Sequence, residues 1–387
     1  LALAKISIGA EKMKLTLVNG VEIFLIVLIS LSPLVPELLK GLLVGLLVWA
    51  NMRNKRKLSH KRFLYLAVFV FLFLVGAAWD LRNISSLSEI SLLGVFFPLT
   101  FMLGYLISGK YTLDSYLVHI EKIAFVTALL SLIGVVVYTF FPSLIEHMIL
   151  YRYHHTVHRT ALIFNVLISE AGVAVPRNSG IAWEPGAFQI LLNLGLYACL
   201  KLHSSTKLYK VGVYSLAIWF TMSTAGLIIY AFVMMRLWRR GVQILLLGVL
   251  FGIAFRSTIF EMIDFQMRYK LWGTTAFEFR LQTFIDAFRI GWDQILGYGN
   301  AGLRLRYAVE RQAPWDSYGQ IFLRYGYPLL TLIVFRILRI AKASLPLFVI
   351  IAVSFSAQGV WFLPMITPFY FWHISSKGMT NENSLVH

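Results

Sequence analysis

Cysteine is all but missing from this chain: one, Cys199, occurs in 387 residues. A lone cysteine inside an apolar run excludes an intrachain disulfide framework and a multi-cysteine zinc site, so stability has to come from packing. Charge is scarce as well, at 14% of residues, and acids are scarcer than bases, with 18 Asp and Glu against 35 Lys and Arg. The resulting +17 does not point to nucleic acid, because the basic residues lie in short pieces between apolar runs and no nucleic-acid-binding module accompanies them. No Walker pattern occurs, and the glycine turn beginning at Gly297 has no strand or phosphate-cradling helix start with it, which argues against an ATP-driven pump and a nucleotide-sugar enzyme. Alternating apolarity over segments of about 10 residues, the mark of a membrane β-barrel, is absent too. Runs such as 64–78 are continuously apolar instead.

What is present is hydrophobicity. Apolar residues make up 58% of the chain, aromatics 15%, and the mean hydropathy is +0.73, a mixture in which the bilayer is the organising solvent. The expected fold is an all-α polytopic membrane protein of GT-C-like kind, with about 12 transmembrane helices and two long periplasmic loops. Candidate spans fall near 15–34, 36–51, 63–79, 90–108, 122–141, 186–200, 209–222, 224–236, 241–255, 317–335, 343–358 and 360–374. The organisation predicted is an N-terminal extension over 1–14, helices over 15–141, a first outer loop over 142–185, and middle helices over 186–255. A second outer loop over 256–316, C-terminal helices over 317–374 and a cytoplasmic tail over 375–387 complete it.

Orientation follows from Lys and Arg. The segment NMRNKRKLSHKR, 51–62, carries six of them and no acid, the signature of a cytoplasmic loop. Counting spans from it makes 110–122, 201–210, 236–240 and 336–342 cytoplasmic, and all four carry Lys or Arg. The same parity puts 142–185 and 256–316 outside, although they hold Arg152, Arg159, Arg177, Arg280, Arg289, Arg304, Arg306 and Arg311 among other bases. Long loops translocate regardless of charge, so solvated surface accounts for most of these. Arginine at an outer bilayer rim is also what a pyrophosphate head group requires, through a permanently charged fork of donors. Within the second loop, Leu281, Phe284, Ile285 and Phe288 recur at helical spacing, which fits a helix lying on the membrane or packing on the tops of the spans.

The stretch VPRNSGIAWEPGAFQ, 175–189, concentrates candidate chemistry. Pro176 and Gly180 suit a structured turn, Pro185 suits the first turn of a helix, and Glu184 falls at the N-cap position. Three roles stand open for Glu184: helix cap, partner of Arg177, and acceptor of a proton. His147, His154, His155 and His158 cluster nearby, and His154 with His158 has the spacing of a helical metal pair, but no acidic ligand follows at a recognisable distance. No metal or other cofactor is expected. Gly297 and Gly299 mark a tight turn, with no strand or helix start to make it a nucleotide site.

The order of these features resembles the superfamily of O-antigen polymerases (Wzy-type) and O-antigen ligases. It is carried by Arg177, Gly180, Glu184, Pro185 and Phe188, then Arg280, then Leu296, Gly297 and Gly299, then Trp315, Asp316, Tyr318 and Gly326. The resemblance covers about 175–330 and implies transfer of a glycan from an undecaprenyl-pyrophosphate-linked donor to a lipid-linked acceptor, metal-independent and inverting. It implies a multi-pass protein of the bacterial inner membrane acting at the periplasmic face, with membrane lipid and a chain-length regulator as further partners. The catalytic residues it implies are Arg177 and Arg280 as pyrophosphate clamps; for the base, Glu184, Asp316 and Glu310 are all outer-face carboxylates able to accept the proton, ranked with Glu184 first and Asp316 second. Gly180, Tyr298, Arg304, Arg306, Trp315 and Tyr318 are the implied substrate-binding residues. The chain has Trp315 and Asp316 where ligases carry a histidine, which favours a polymerase over a ligase acting on lipid A–core. It has Ser223, Thr224, Ala225 and Gly226 where the family often shows Ser-Arg. A lipid-linked oligosaccharide flippase is the alternative from another class, expected to show charged or broken helices at mid-membrane.

Overall fold

A computed structural model describes residues 18–53, 60–81, 95–153, 156–161, 164–170, 173–202, 208–237, 276–292, 294–299 and 316–372. Most of these residues are helical. The helices are α1 (Val18–Leu31), α2 (Glu37–Met52), α3 (His60–Leu81), α4 (Phe97–Lys110), α5 (Leu113–Phe140), α6 (Pro142–Glu146), α7 (Pro185–Leu202), α8 (Leu208–Thr221), α9 (Thr224–Leu237), α10 (Ala276–Gly291), α11 (Ser317–Ala343) and α12 (Leu345–Ala357). Three are long and apolar enough to cross a membrane, within α5, α7 and α11, and several shorter apolar helices accompany them. The segments 1–14, 241–255 and 375–387, and most of 256–316, lie outside the described residues.

Helix α7 is the axis of the assembly. Every residue from Pro185 to Leu200 is buried, as expected of a helix apolar all round, and α5, α8, α9 and α12 pack about it. Small residues permit the approach. A Cβ on Gly195 would stand 2.5 Å from the Cβ of Ala124 on α5, and one on Gly226 of α9 would stand 2.8 Å from the Cβ of Gln189. Gln189 and Asn193 are buried on α7 and joined to each other, Asn193 Nδ2 donating to Gln189 Oε1 at 2.9 Å.

The segment expected as the first outer loop, 142–185, departs from the all-helical expectation. Residues 149–180 form a four-stranded antiparallel sheet in the order β1 (Ile149–Tyr153), β2 (Thr156–Ala161), β3 (Phe164–Glu170) and β4 (Val173–Gly180). Each strand pairs with its sequence neighbour. Valine, isoleucine, tyrosine and threonine supply the strand propensity, and β3 and β4 pack on α5. The metal pair considered for the histidines does not form as a helical one: His158 stands on β2, and His154 and His155 lie outside the described residues.

A second departure lies in 360–374, expected as a span. Through residue 372 it is a run of turns with one 3-10 turn, Thr367–Tyr370, because Pro364 and Pro368 interrupt any longer helix. Irregular backbone inside an apolar bundle needs partners for its polar groups. They come from distant helices: Ser30 Oγ accepts from the Met365 amide at 2.8 Å and Tyr116 donates to Met365 O at 2.9 Å, while the Thr367 side-chain hydroxyl ties the segment to α4 by donating to Thr100 O at 3.0 Å. Arg336 of α11 donates to the carbonyls of Tyr370 and Trp372. Arg336 was expected in a cytoplasmic connector over 336–342; α11 instead continues through it, and the side chain is buried. Phe69, Phe73, Phe97, Phe101, Trp361, Tyr370 and Phe371 fill the space around the segment as tilted, edge-on and stacked pairs.

Among the described residues, basic side chains of 51–62, 110–122 and 201–210 find partners near the ends of their helices, and most of the piece at 236–240 lies outside the described residues. Lys110 pairs with Glu22, which also accepts from Asn51, and Lys210 pairs with Glu121 at 2.7 Å. Arg62 donates to Ser108 O at 2.8 Å, and Lys201 to the Tyr197 hydroxyl at 2.9 Å.

Candidate functional site

One end of the bundle carries the sheet and the start of α7. Arg177 on β4 is buried, and its Nε donates to Thr221 O at 3.2 Å while a terminal nitrogen reaches Met222 O at 3.4 Å. These carbonyls close α8, whose last residue is followed by Met222 at φ 48°. A cation there complements the negative end of the helix dipole. Arg177 is therefore anchored at the α8–α9 turn, where Ser223 Oγ accepts from the Gly226 amide at 3.3 Å and opens α9. Beside it, Asn178 donates to Ser131 Oγ of α5 at 2.9 Å and accepts from the Gly180 amide at 3.0 Å.

Gly180 has a φ of 52°, and any Cβ there would stand 2.3 Å from the Phe188 ring. Its place in the motif is explained by packing: the strand ends, reverses, and lets α7 close against it. Glu184 takes the N-cap position of α7, its carbonyl accepting from the amides of Ala187 and Phe188, each at 3.1 Å, and its side chain is half-buried. The amide of Trp183 donates to Leu31 O at 3.1 Å, which ties the turn to the end of α1.

Asp316 caps α11. Its Oδ1 accepts from the Gly319 amide at 2.6 Å, and the residue is 6% exposed. Burial pushes its carboxyl above the usual carboxylate range, while hydrogen bonds from its own amide and those of Gly319 and Tyr318 pull it back. Next to it Ser317 donates to Gln358 O at 2.5 Å and accepts from the Val360 amide at 2.9 Å. A Cβ on Gly186 in the first turn of α7 would stand 2.2 Å from Gln358 Nε2. Gln358, which closes α12, thus joins the starts of α7 and α11. Glu184 and Asp316, distant in sequence, share the bundle end that also holds Arg177. Tyr318 is directed along α12, its hydroxyl donating to Ala352 O at 3.4 Å.

The glycine turn over 295–299 serves α11. Gly326, at φ 70°, interrupts that helix two residues before Pro328. The backbone groups released by the break are taken up by the turn: the Tyr298 amide donates to Leu323 O at 2.7 Å, and the Tyr327 amide to Ile295 O at 3.1 Å. Gly297 and Gly326 face each other so closely that a Cβ on either would meet backbone atoms at 2.6 Å or less. The Tyr298 hydroxyl donates to Ile290 O at 2.9 Å, so this residue holds the turn to α10. Arg280 is placed on α10, with nothing described of its side chain; Arg304, Arg306 and Trp315 lie outside the described residues.

The sequence reading overlooked Gln189, Asn193 and Gln358. Isolated amides within apolar runs are a weak signal, although polar residues in a spanning segment ordinarily mark a functional interior. Among the described residues, none forms a group of three or more His, Cys, Asp or Glu able to hold a metal. No protein-family model, curated protein or solved structure matches the chain.

Proposed function

We propose that the chain is a membrane glycosyltransferase that polymerises a lipid-linked repeat unit of O-antigen or a related surface polysaccharide. The observation that carries this reading is the contact through Gln358 that joins the starts of α7 and α11, where Glu184 and Asp316 stand, with Arg177 anchored separately at the α8–α9 turn. In the proposed step, a hydroxyl at the non-reducing end of the lipid-linked acceptor attacks the anomeric carbon of the undecaprenyl-pyrophosphate-linked donor with inversion. The bond from that carbon to the phosphate oxygen breaks, and its electron pair leaves with the pyrophosphate. The hydroxyl proton passes to a carboxylate, Glu184 or Asp316. Arg177, held by two carbonyls, is a preorganised cation for the charge that gathers on the leaving group, joined in this reading by Arg280.

A transporter of lipid-linked oligosaccharide is the second reading, favoured by the break in α11 at Gly326 and the irregular buried segment after α12, since discontinuous helices are a recurrent feature of transporter sites. One experiment separates the readings: surface polysaccharide on a gel from a deletion strain complemented with wild type, Arg177→Ala or Arg177→Lys, with membrane levels of each variant measured. A single capped repeat unit from the variants supports the polymerase. Bare core with accumulated lipid-linked polymer indicates the ligase, and loss of every surface glycan indicates the transporter. Wild-type laddering from Arg177→Ala sinks the clamp.

A further inference from the structure

The segment linking the last turn of α5 to the sheet, residues 140–150, presents an apolar surface that no other described element covers. Phe140 is 70% exposed, Phe141 55%, Leu144 54%, Ile149 64% and Leu150 48%. Phe141 and Leu144 are three residues apart and joined by a Leu144 N to Phe141 O bond of 3.0 Å, so they stand on one side of the short helix α6. The link is held in shape: Arg159 of β2 donates to Glu146 O at 2.9 Å and to Met148 O at 3.0 Å.

This surface continues the outward face of α5. Val126, Leu129, Ile133, Val136 and Phe140 are all exposed, at spacings of three and four that place them on one stripe of the helix. The inward face is built differently, from small residues in close contact: Ala124 lies against Gly195, and Ser131 accepts from Asn178. On the reading of α5 as a membrane-crossing helix, its large-residue stripe faces lipid. Ser143, Glu146 and His147, all exposed, are interspersed with the apolar residues of the link, the mixture found in segments lying at the boundary between acyl chains and head groups.

We infer that residues 140–150 are a lipid-binding surface, immersed in the outer boundary of the bilayer, that holds the four-stranded sheet down on the membrane. The partner is phospholipid: acyl chain against Phe141, Leu144, Ile149 and Leu150, and head group against Ser143, Glu146 and His147. One consequence bears on the proposed reaction. Strands β1 to β4 are consecutive neighbours, so anchoring β1 to the surface fixes the level of the sheet whose last strand carries Arg177.

The test places a nitroxide on a single cysteine in the full chain, in a Cys199→Ala background, at Leu144→Cys or Ile149→Cys, with Leu129→Cys and His147→Cys as references. Each variant is reconstituted into vesicles of phosphatidylethanolamine and phosphatidylglycerol, and collision with oxygen, which concentrates in lipid, is compared with collision with a water-soluble nickel chelate. The labels sit at exposed positions and burden no packing. If Cys199→Ala lowers the yield, the wild-type background serves, since Cys199 is buried. The expected result is oxygen collision exceeding nickel collision several-fold at 144 and 149, as at 129, with the order reversed at 147. Nickel access at 144 and 149 equal to that at 147 overturns the proposal in favour of a water-facing surface. Exclusion of both reagents overturns it in favour of a protein contact, such as a second copy. A water-like signal at Leu129→Cys removes the membrane reading beneath it, and the proposal with it.

Discussion

At the scale of single residues, Arg177 and Asp316 each do structural work that their proposed chemistry has to share. Replacing Arg177 with alanine leaves two helix-end carbonyls without that donor, at about 1–3 kcal/mol each where buried. Thermal denaturation in detergent is expected to show Arg177→Ala clearly less stable than wild type. Arg177→Lys should recover part of the stability but not a bidentate phosphate contact. A variant that is stable and still fails to make polymer places the defect in chemistry. For Asp316 the prediction turns on sign. Its folded carboxyl titrates above the ordinary range because it is buried, so its contribution to stability is full at acid pH and is lost as pH rises through the folded value. Asp316→Asn keeps an oxygen to cap Gly319 and cannot ionise. Its melting temperature, measured against pH, should therefore gain on wild type as pH approaches neutrality, whereas Asp316→Ala should lose about 1 kcal/mol at acid pH and less as pH rises through the folded value. If Asp316 is the base, the acid limb of polymer formation lies above the ordinary carboxylate range, and Asp316→Asn abolishes it.

The broken α11 and the non-helical segment after α12 set the behaviour at the scale of elements. Gly326→Ala forces a Cβ onto Ile295 O and a residue with a side chain into the left-handed region. A cost of roughly 2 kcal/mol or more is expected from strain alone. Limited proteolysis and melting should show the 295–299 turn released from the helix. Arg336→Met removes the donor to Tyr370 O and Trp372 O while keeping most of the packing volume. The melting temperature should fall by more than for Arg339→Met, since Arg339 on the same helix only stacks on the Phe335 ring. Only the first feature was partly visible beforehand: Leu296, Gly297, Gly299 and Gly326 were singled out, but as a motif rather than as two halves of one contact. Glycine composition signals that a backbone does something unusual; which distant carbonyl it approaches is a tertiary fact.

For the whole molecule, the segregation of charge predicts sidedness. Tyr209, exposed beside Lys210, and His147, exposed beyond the end of α5, belong to opposite ends of the bundle. Cysteines at these two positions should react with a membrane-impermeant maleimide from opposite sides in oriented vesicles. Labelling of both from one side would refute the parity on which the outer loops were assigned.

Composition alone determined that the chain is helical and apolar enough for a bilayer, because a continuous apolar run of helical length has few other solutions in or out of lipid. The place of Glu184 at the N-cap of α7 was likewise legible, since it depends on a short stretch of neighbouring residues. Tertiary structure decided the rest. Strands of five to eight residues with interspersed arginine and histidine carry a faint period-2 signal, and their pairing is a relation between segments, so the sheet over 149–180 was read as a loop. The run 360–374 is as apolar as a span and was read as one. Its real path exists only because Ser30, Tyr116 and Arg336 satisfy its backbone from three different helices, and no window on the sequence contains such partners.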